Sequence, residues 1–144
     1  MNPPTVARLL IPRPVLAAMT AHAAAELPNE CCGLLGGAAP ADGVIRVSAA
    51  APVVNAAASP VEYESEPRSI LAAVKRFRAE GLEVVGVYHS HPTAPPVPSR
   101  ADLARNYWGH VAHVIISLQS AQPEVRAWWL GEADYREADW DLVG

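Results

Sequence analysis

The chain predicts an α/β domain built on a mixed β-sheet, and three observations carry that expectation. Segments with helical spacing of apolar residues alternate with segments of strand character. The runs CCGLLGG and LEVVGVY are apolar almost throughout, as buried strands are. A length of 144 residues fits one domain with a real core and leaves no room for a separate substrate module, so residues 1–144 are taken as a single unit.

In order, VARLLIP reads as a first strand and RPVLAAMTAHAAAEL as an Ala-rich helix, with Pro14 tolerated in its first turn and Pro28 ending it. CCGLLGG, bounded by Asn29-Glu30 and Gly36-Gly37, is a compact buried strand that puts Glu30 at its mouth. VIRVSAAAPVVNAA supplies one or two further strands, and SPVEYESEP is a polar, proline-bounded loop. From Pro67 to Gly81, Ile70, Leu71, Val74 and Phe77 keep helical spacing between a proline near the start and a glycine at the end. LEVVGVYHSHP is a hydrophobic strand running into two histidines. SRADLARNYW is a short helix, and HVAHVIISL, EVRAWWL and YREADWDLV are closing strands.

Bulk properties remove several classes of function. The chain is 51% hydrophobic with a formal charge of −4, so no basic surface argues for nucleic acid or anionic lipid. MNPPTVARLLIPRP lacks the unbroken apolar core of a signal peptide, and no window approaches the ~18 apolar residues of a membrane span. A cytoplasmic protein without a membrane or nucleic-acid partner is expected. The only cysteines, Cys31 and Cys32, are adjacent, a poor geometry for a disulfide, and read as two reduced thiols.

The chemistry gathers in GVYHSHPTAPPVPSRADL. On a strand, His89 and His91 project to one face with Cα atoms ~6.5–7 Å apart, close enough to converge on one ion. Zinc accepts imidazole nitrogen and carboxylate oxygen, and a catalytic zinc has three protein ligands and one open position. Asp102 is the first acid after the histidines, and the prolines between restrict the loop that presents it. Each piece also has a bland reading: His-x-His as a polar strand end, and Ser99-x-x-Asp102 as a capped helix start.

Taken together, His89-x-His91, seven residues, then Ser99-x-x-Asp102 resembles the H-x-H-x7-S-x2-D signature of the JAMM (MPN+, Mov34/PAD-1) zinc metalloproteases. The segment order PNECCGLLGG, SPVEY, VYHSHP and HVIIS is similar to that of the small bacterial members and covers nearly the whole chain, most weakly after Trp129. The resemblance implies a cytidine-deaminase-like MPN fold, a curved mixed sheet flanked by helices. It implies one zinc per chain held by His89, His91 and Asp102, and hydrolysis of the bond after the C-terminal Gly-Gly of a ubiquitin-like or sulfur-carrier protein. Glu30 then stands where the family has the general base that activates the zinc-bound water, and Ser99 where it has a donor to the oxyanion.

His113, on a strand expected beside the histidine strand, is a candidate to stand behind the ligands, as is Ser90 between them. Tyr63 and the SPVEY loop are candidates to line the groove for an extended tail. His22 and His110 read as surface residues. Of Cys31 and Cys32, one is expected in the core and the other near the site, neither as a ligand. A homodimer is compatible with the sequence. Against the peptidase stand a metal-free MPN-type scaffold, whose members typically lose a ligand or the glutamate that this chain keeps, and a cupin or iron facial triad, which wants a glutamate where Ala94 and Pro95 stand. A RadC-type domain, with H-N-H-P-S-G, is a lesser alternative that HSHPTA does not reproduce.

Overall fold

The computed structural model describes residues 8–38, 40–109 and 111–144. Among them the chain runs β1 (Arg8–Pro12), α1 (Arg13–Glu26), β2 (Cys32–Gly37), β3 (Val44–Val53), α2 (Pro67–Ala79), β4 (Glu83–His91), α3 (Arg100–Ala104), β5 (Ala112–Ser117), β6 (Glu124–Leu130) and β7 (Tyr135–Val143). The VIRVSAAAPV segment forms one strand. The start of the expected first strand and His110 lie outside the described residues.

α3 ends earlier than SRADLARNYW predicts. Two residues past its last turn, the Asn106 Oδ1 accepts from the Trp108 N–H at 3.4 Å, and the amide group donates to the Leu130 carbonyl at 3.4 Å. A side chain that bonds neighbouring backbone in this way competes with continuing the helix.

The sheet is mixed, as expected, but its curvature goes further and closes. Strand order is β1-β3-β2-β4-β5-β6-β7, and β1 pairs in parallel with both β3 and β7, which leaves a closed barrel. The β4–β5 pair is parallel as well, and the remaining neighbours are antiparallel. Register shifts beside Gly36 against both β3 and β4 supply the local kinks that help a sheet coil.

Those shifts also decide which way β4 presents its side chains. Leu35 pairs with Gly86 and Gly36 with Val84, so Val85 is the extra residue of a bulge. Val85 and Tyr88 consequently belong to the inner cluster with Leu9, Ile11, Met19, Leu35, Val114 and Trp129. Val87 falls on the outward side with Leu34, Val53, Ala73 and Phe77, beneath α2. His89 and His91 follow Val87 at period two onto that outward face.

β2 is buried along its whole length because both sides are covered. Two of its glycines are required by close approach: a methyl at Gly33 would overlap the Tyr88 ring, and one at Gly36 would meet the Phe77 ring at 2.8 Å. The Ala-rich α1 buries Val15, Met19 and Ala23, while α2 is fixed at its start by Glu66, whose carboxylate accepts from the N–H groups of Arg68 and Ser69.

Candidate metal centre

The outward face of β4 ends in His89 and His91, both buried, and the loop that follows folds back to set Asp102 against them. Three consecutive carbonyls pin that loop. Ala94 accepts from the Ser117 hydroxyl at 2.6 Å, Pro95 bonds the His91 Nδ1 at 2.8 Å, and Pro96 accepts from the Trp128 indole N–H at 2.9 Å. Strands β4, β5 and β6 thus each hold one carbonyl of a segment that has few N–H donors of its own.

Asp102 is then fixed by α3. The Ser99 Oγ accepts from the Asp102 N–H at 3.1 Å, and the Asp102 Oδ2 accepts from the Ser99 N–H at 2.9 Å, a reciprocal capping box. The Ser-x-x-Asp spacing therefore builds the helix start and aims the carboxylate at once. The Ser99 hydroxyl, though it accepts as a cap, still has a proton to donate.

The resulting cluster is a near-equilateral triangle. Asp102 Oδ2 lies 3.1 Å from the Nε2 of both His89 and His91, and the two Nε2 atoms are 3.2 Å apart. Tetrahedral zinc with ligands at ~2.0–2.1 Å has ligand edges of ~3.3–3.4 Å, so the triangle is close to that shape. Chemistry agrees with the shape. The Pro95 carbonyl can only accept, so His91 carries its proton on Nδ1, and in the neutral ring its Nε2 turns a lone pair toward a carboxylate oxygen. Two acceptors at that distance call for a cation or a proton between them.

Ionisation follows the same arrangement. Burial alone would raise Asp102, but the His89 charge, a proton held between the carboxylate and the two imidazoles, and the Ser99 backbone N–H hold its carboxyl far below the usual range. His91 is pulled down by burial and, more strongly in sum, up by Asp102, the Pro95 carbonyl and Glu30.

Glu30 is buried at 3% exposure, and its Oε1 has no hydrogen-bond partner among the described residues. Burial pushes its carboxyl up to about 8; His91 opposes this, while Asp102 and Glu62 add to it. It lines a cavity of about 230 Å³ together with Pro60, Val61, His91, Pro92, Thr93, Ala94 and Ser99. The structure therefore brings Glu30 and Ser99 to one cavity with a member of the histidine–aspartate triangle.

The weaker candidates sort differently. Tyr63 stacks on His89 with ring centroids 4.6 Å apart and lines a second cavity, of about 460 Å³, with Ile70, Arg105, Tyr107 and Trp108. Pro60 and Val61 of the SPVEY loop line the first cavity instead. His113 is buried on β5, and its Nε2 bonds the Asn106 side chain at 3.1 Å. Burial first, and the His89 charge second, push His113 down to about 3, so it is neutral. Ser90 faces inward, where its Oγ accepts from the Cys31 N–H at 2.8 Å and ties β4 to the residue after Glu30.

His22 departs from the surface reading. It is half-buried and bonds the Tyr88 hydroxyl through Nδ1 at 2.8 Å, because Tyr88 packs in the inner cluster with the buried face of α1. Cys31 joins the inner cluster and Cys32, paired opposite His89, the outer one; both are buried and unpaired. Two residues that the sequence reading passed over also matter. Trp128 holds the proline loop, and Asn55 donates to the Glu30 carbonyl at 3.0 Å.

A closed mixed sheet that gathers two histidines and an aspartate, with a buried glutamate at the neighbouring cavity, defines a protein with a site that could hold a metal ion beside a carboxylate. Residues 12–131 match the family model described as prokaryotic homologs of the JAB domain, and the chain belongs to that family. It is 41% identical over 96 residues to a desampylase of Haloferax volcanii, covering 66% of this chain and 67% of that one. It is 35% identical over 125 residues to a probable TtuB-protein conjugate cleaving protease of Thermus thermophilus, covering 86% and 77%. A solution structure of a Desulfitobacterium hafniense protein superposes with a TM-score of 0.85 at 32% identity, covering 94% of this chain and 92% of that one.

Proposed function

We propose that this protein is a zinc-dependent peptidase that cleaves after the C-terminal Gly-Gly of a ubiquitin-like or sulfur-carrier protein. The observation that carries the reading is the triangle of His89, His91 and Asp102 beside a cavity that also holds Glu30 and Ser99. The names of its relatives, among them a CysO-cysteine peptidase of Mycobacterium tuberculosis 33% identical over 99 residues, point to protein conjugates of this kind as substrates.

His89, His91 and Asp102 would hold the ion through Nε2, Nε2 and a carboxylate oxygen. When bound, zinc supplies Lewis-acid polarisation and a water of lowered pKa. Glu30, buried beside the cavity, would take the proton of the attacking water and pass it to the departing amine. Ser99 donates its hydroxyl to the carbonyl oxygen as negative charge develops there. His91 keeps its Nε2 lone pair aimed at the ion because Nδ1 is engaged by Pro95. Tyr63, against the His89 ring, and the Pro60-Val61 segment border the path of an extended tail. The protein would act as a soluble cytoplasmic enzyme, alone or as a homodimer; among the described residues no helix is long and apolar enough to cross a membrane.

The test is incubation of the zinc-loaded protein with ubiquitin-like carriers extended beyond Gly-Gly, read by mass spectrometry, beside Glu30→Gln. Release of the extension by the wild type, with Glu30→Gln slower by about 10²–10⁴-fold at unchanged zinc content, is the expected result. A fully active Glu30→Gln removes the general-base role, and no release from any extended carrier removes the substrate assignment.

A further inference from the structure

We infer that Asn55 is a positioning residue that locks the Glu30 backbone to the loop bordering the active-site cavity, so that base and substrate loop form one rigid unit. The inference rests on the reading of Glu30 as general base. Asn55 is 8% exposed, in the segment between β3 and α2, and touches neither the histidines nor Asp102 through any hydrogen bond.

Its amide is fully engaged with main chain. Nδ2 donates to the carbonyls of Glu30 at 3.0 Å and Glu62 at 3.2 Å, while Oδ1 accepts from the N–H groups of Ala57 at 3.0 Å and Glu64 at 2.9 Å. Two carbonyls on one side and two N–H groups on the other leave no choice in the orientation of the amide. Three stretches of chain are thereby joined: the turn before β2, the turn opened by Asn55 itself, and the segment Glu62–Glu64 that leads into the Asn55–Ser65 bridge.

The Glu30 backbone is held by the same loop a second time, since its N–H donates to the Ser59 carbonyl at 2.8 Å. Between the two anchor points lie Pro60 and Val61, which line the cavity with Glu30, and just beyond them Tyr63, stacked on His89. Among the described residues the Glu30 Oε1 has no partner to orient it. Its placement therefore depends on its backbone, and among those residues Asn55 supplies the one side-chain hydrogen bond to that backbone.

A near-isosteric change isolates the donor half. Asn55→Asp keeps the acceptor for Ala57 and Glu64 but turns a carboxylate oxygen toward the Glu30 and Glu62 carbonyls. Ser69→Ala serves as the structural control, because Ser69 Oγ accepts from the Val54 N–H at 3.0 Å and anchors the same loop without reaching Glu30. Steady-state hydrolysis of a sulfur-carrier protein fused through Gly-Gly to a reporter peptide is measured for both, beside Glu30→Gln and with zinc content determined.

Asn55→Asp is expected to keep zinc and lower kcat on the order of 10²-fold with KM changed by no more than about threefold, while Ser69→Ala keeps kcat. A loss confined to KM, or an equal kcat loss in Ser69→Ala, overturns the positioning role. An active Glu30→Gln instead overturns the general-base reading itself. Amide exchange needs no substrate: Asn55→Asp should speed exchange at Glu30 about tenfold and leave β5 unchanged. Unaltered exchange at Glu30 also overturns the inference.

Discussion

On the inward face of β4, Tyr88 closes on His22 and Ser90 on the Cys31 N–H, each at 2.8 Å. On the outward face, one residue away in either direction, His89 and His91 crowd Asp102 at 3.1 Å, and His89 Nδ1 has no partner. Buried polar groups ordinarily find partners, so the inward face is built as a core is built. The outward face instead gathers two Nε2 atoms and a carboxylate oxygen where an ion could be held. A single strand thus separates a stabilising role from a chemical one by the parity of its residues, and the bulge at Val85 sets that parity.

The largest effect that could break this comparison is Asp102→Ala. It removes the only carboxylate of the triangle, and the protein is expected to lose bound zinc and all hydrolysis while remaining folded, checked by metal analysis and circular dichroism. Retention of stoichiometric zinc would move the centre elsewhere. Next is Ser99→Ala, which deletes the proposed oxyanion donor and one half of the capping box. A fall in kcat of about 10²–10³-fold is expected, against a stability loss of only ~1 kcal/mol, so rate and melting temperature should part company.

The third prediction concerns pH in chelated, metal-free protein. Glu30 is raised from 4.5 to about 8 in the folded state. Its contribution to stability is therefore full below pH 4.5 and is lost as pH rises through about 8, because the unfolded chain releases a proton that the folded one retains. Denaturant titrations of wild type and Glu30→Gln should diverge over that window, the variant losing less by up to a few kcal/mol. His113, lowered to about 3, changes stability in the opposite sense, with loss as pH falls, and is common to both proteins. Parallel curves would mean that the Glu30 carboxyl is not desolvated.

The outward face was the more legible of the two in the sequence. His-x-His and Ser-x-x-Asp act through local spacing, which strand period and helix capping translate directly into geometry. Glu30 was legible only by resemblance, since its burial depends on a loop that begins more than twenty residues later. The roles of Asn55 and Trp128 are not legible, because the bonds to Glu30 and to the proline loop run to carbonyls of distant residues, and a carbonyl has no sequence signature. His22 has the pattern of a surface residue for a related reason: the hydroxyl it meets comes from another element. Closure of the sheet rests on Leu9 meeting Trp140 across nearly the whole chain, a pairing that no local pattern encodes.

The smallest effect tests the inward face. Tyr88→Phe removes the hydroxyl bonded to His22 and leaves the ring that packs over Gly33. The histidine is only half-buried, so water can replace the lost partner, and the cost should be ~0.5–1.5 kcal/mol by chemical denaturation. Hydrolysis and zinc content should be unchanged, because the ring that keeps β4 in place is still there and His89 and His91 point the other way. A tenfold loss of rate in this variant would show that the two faces are coupled through the strand, and the division of labour along β4 would fail at its simplest point.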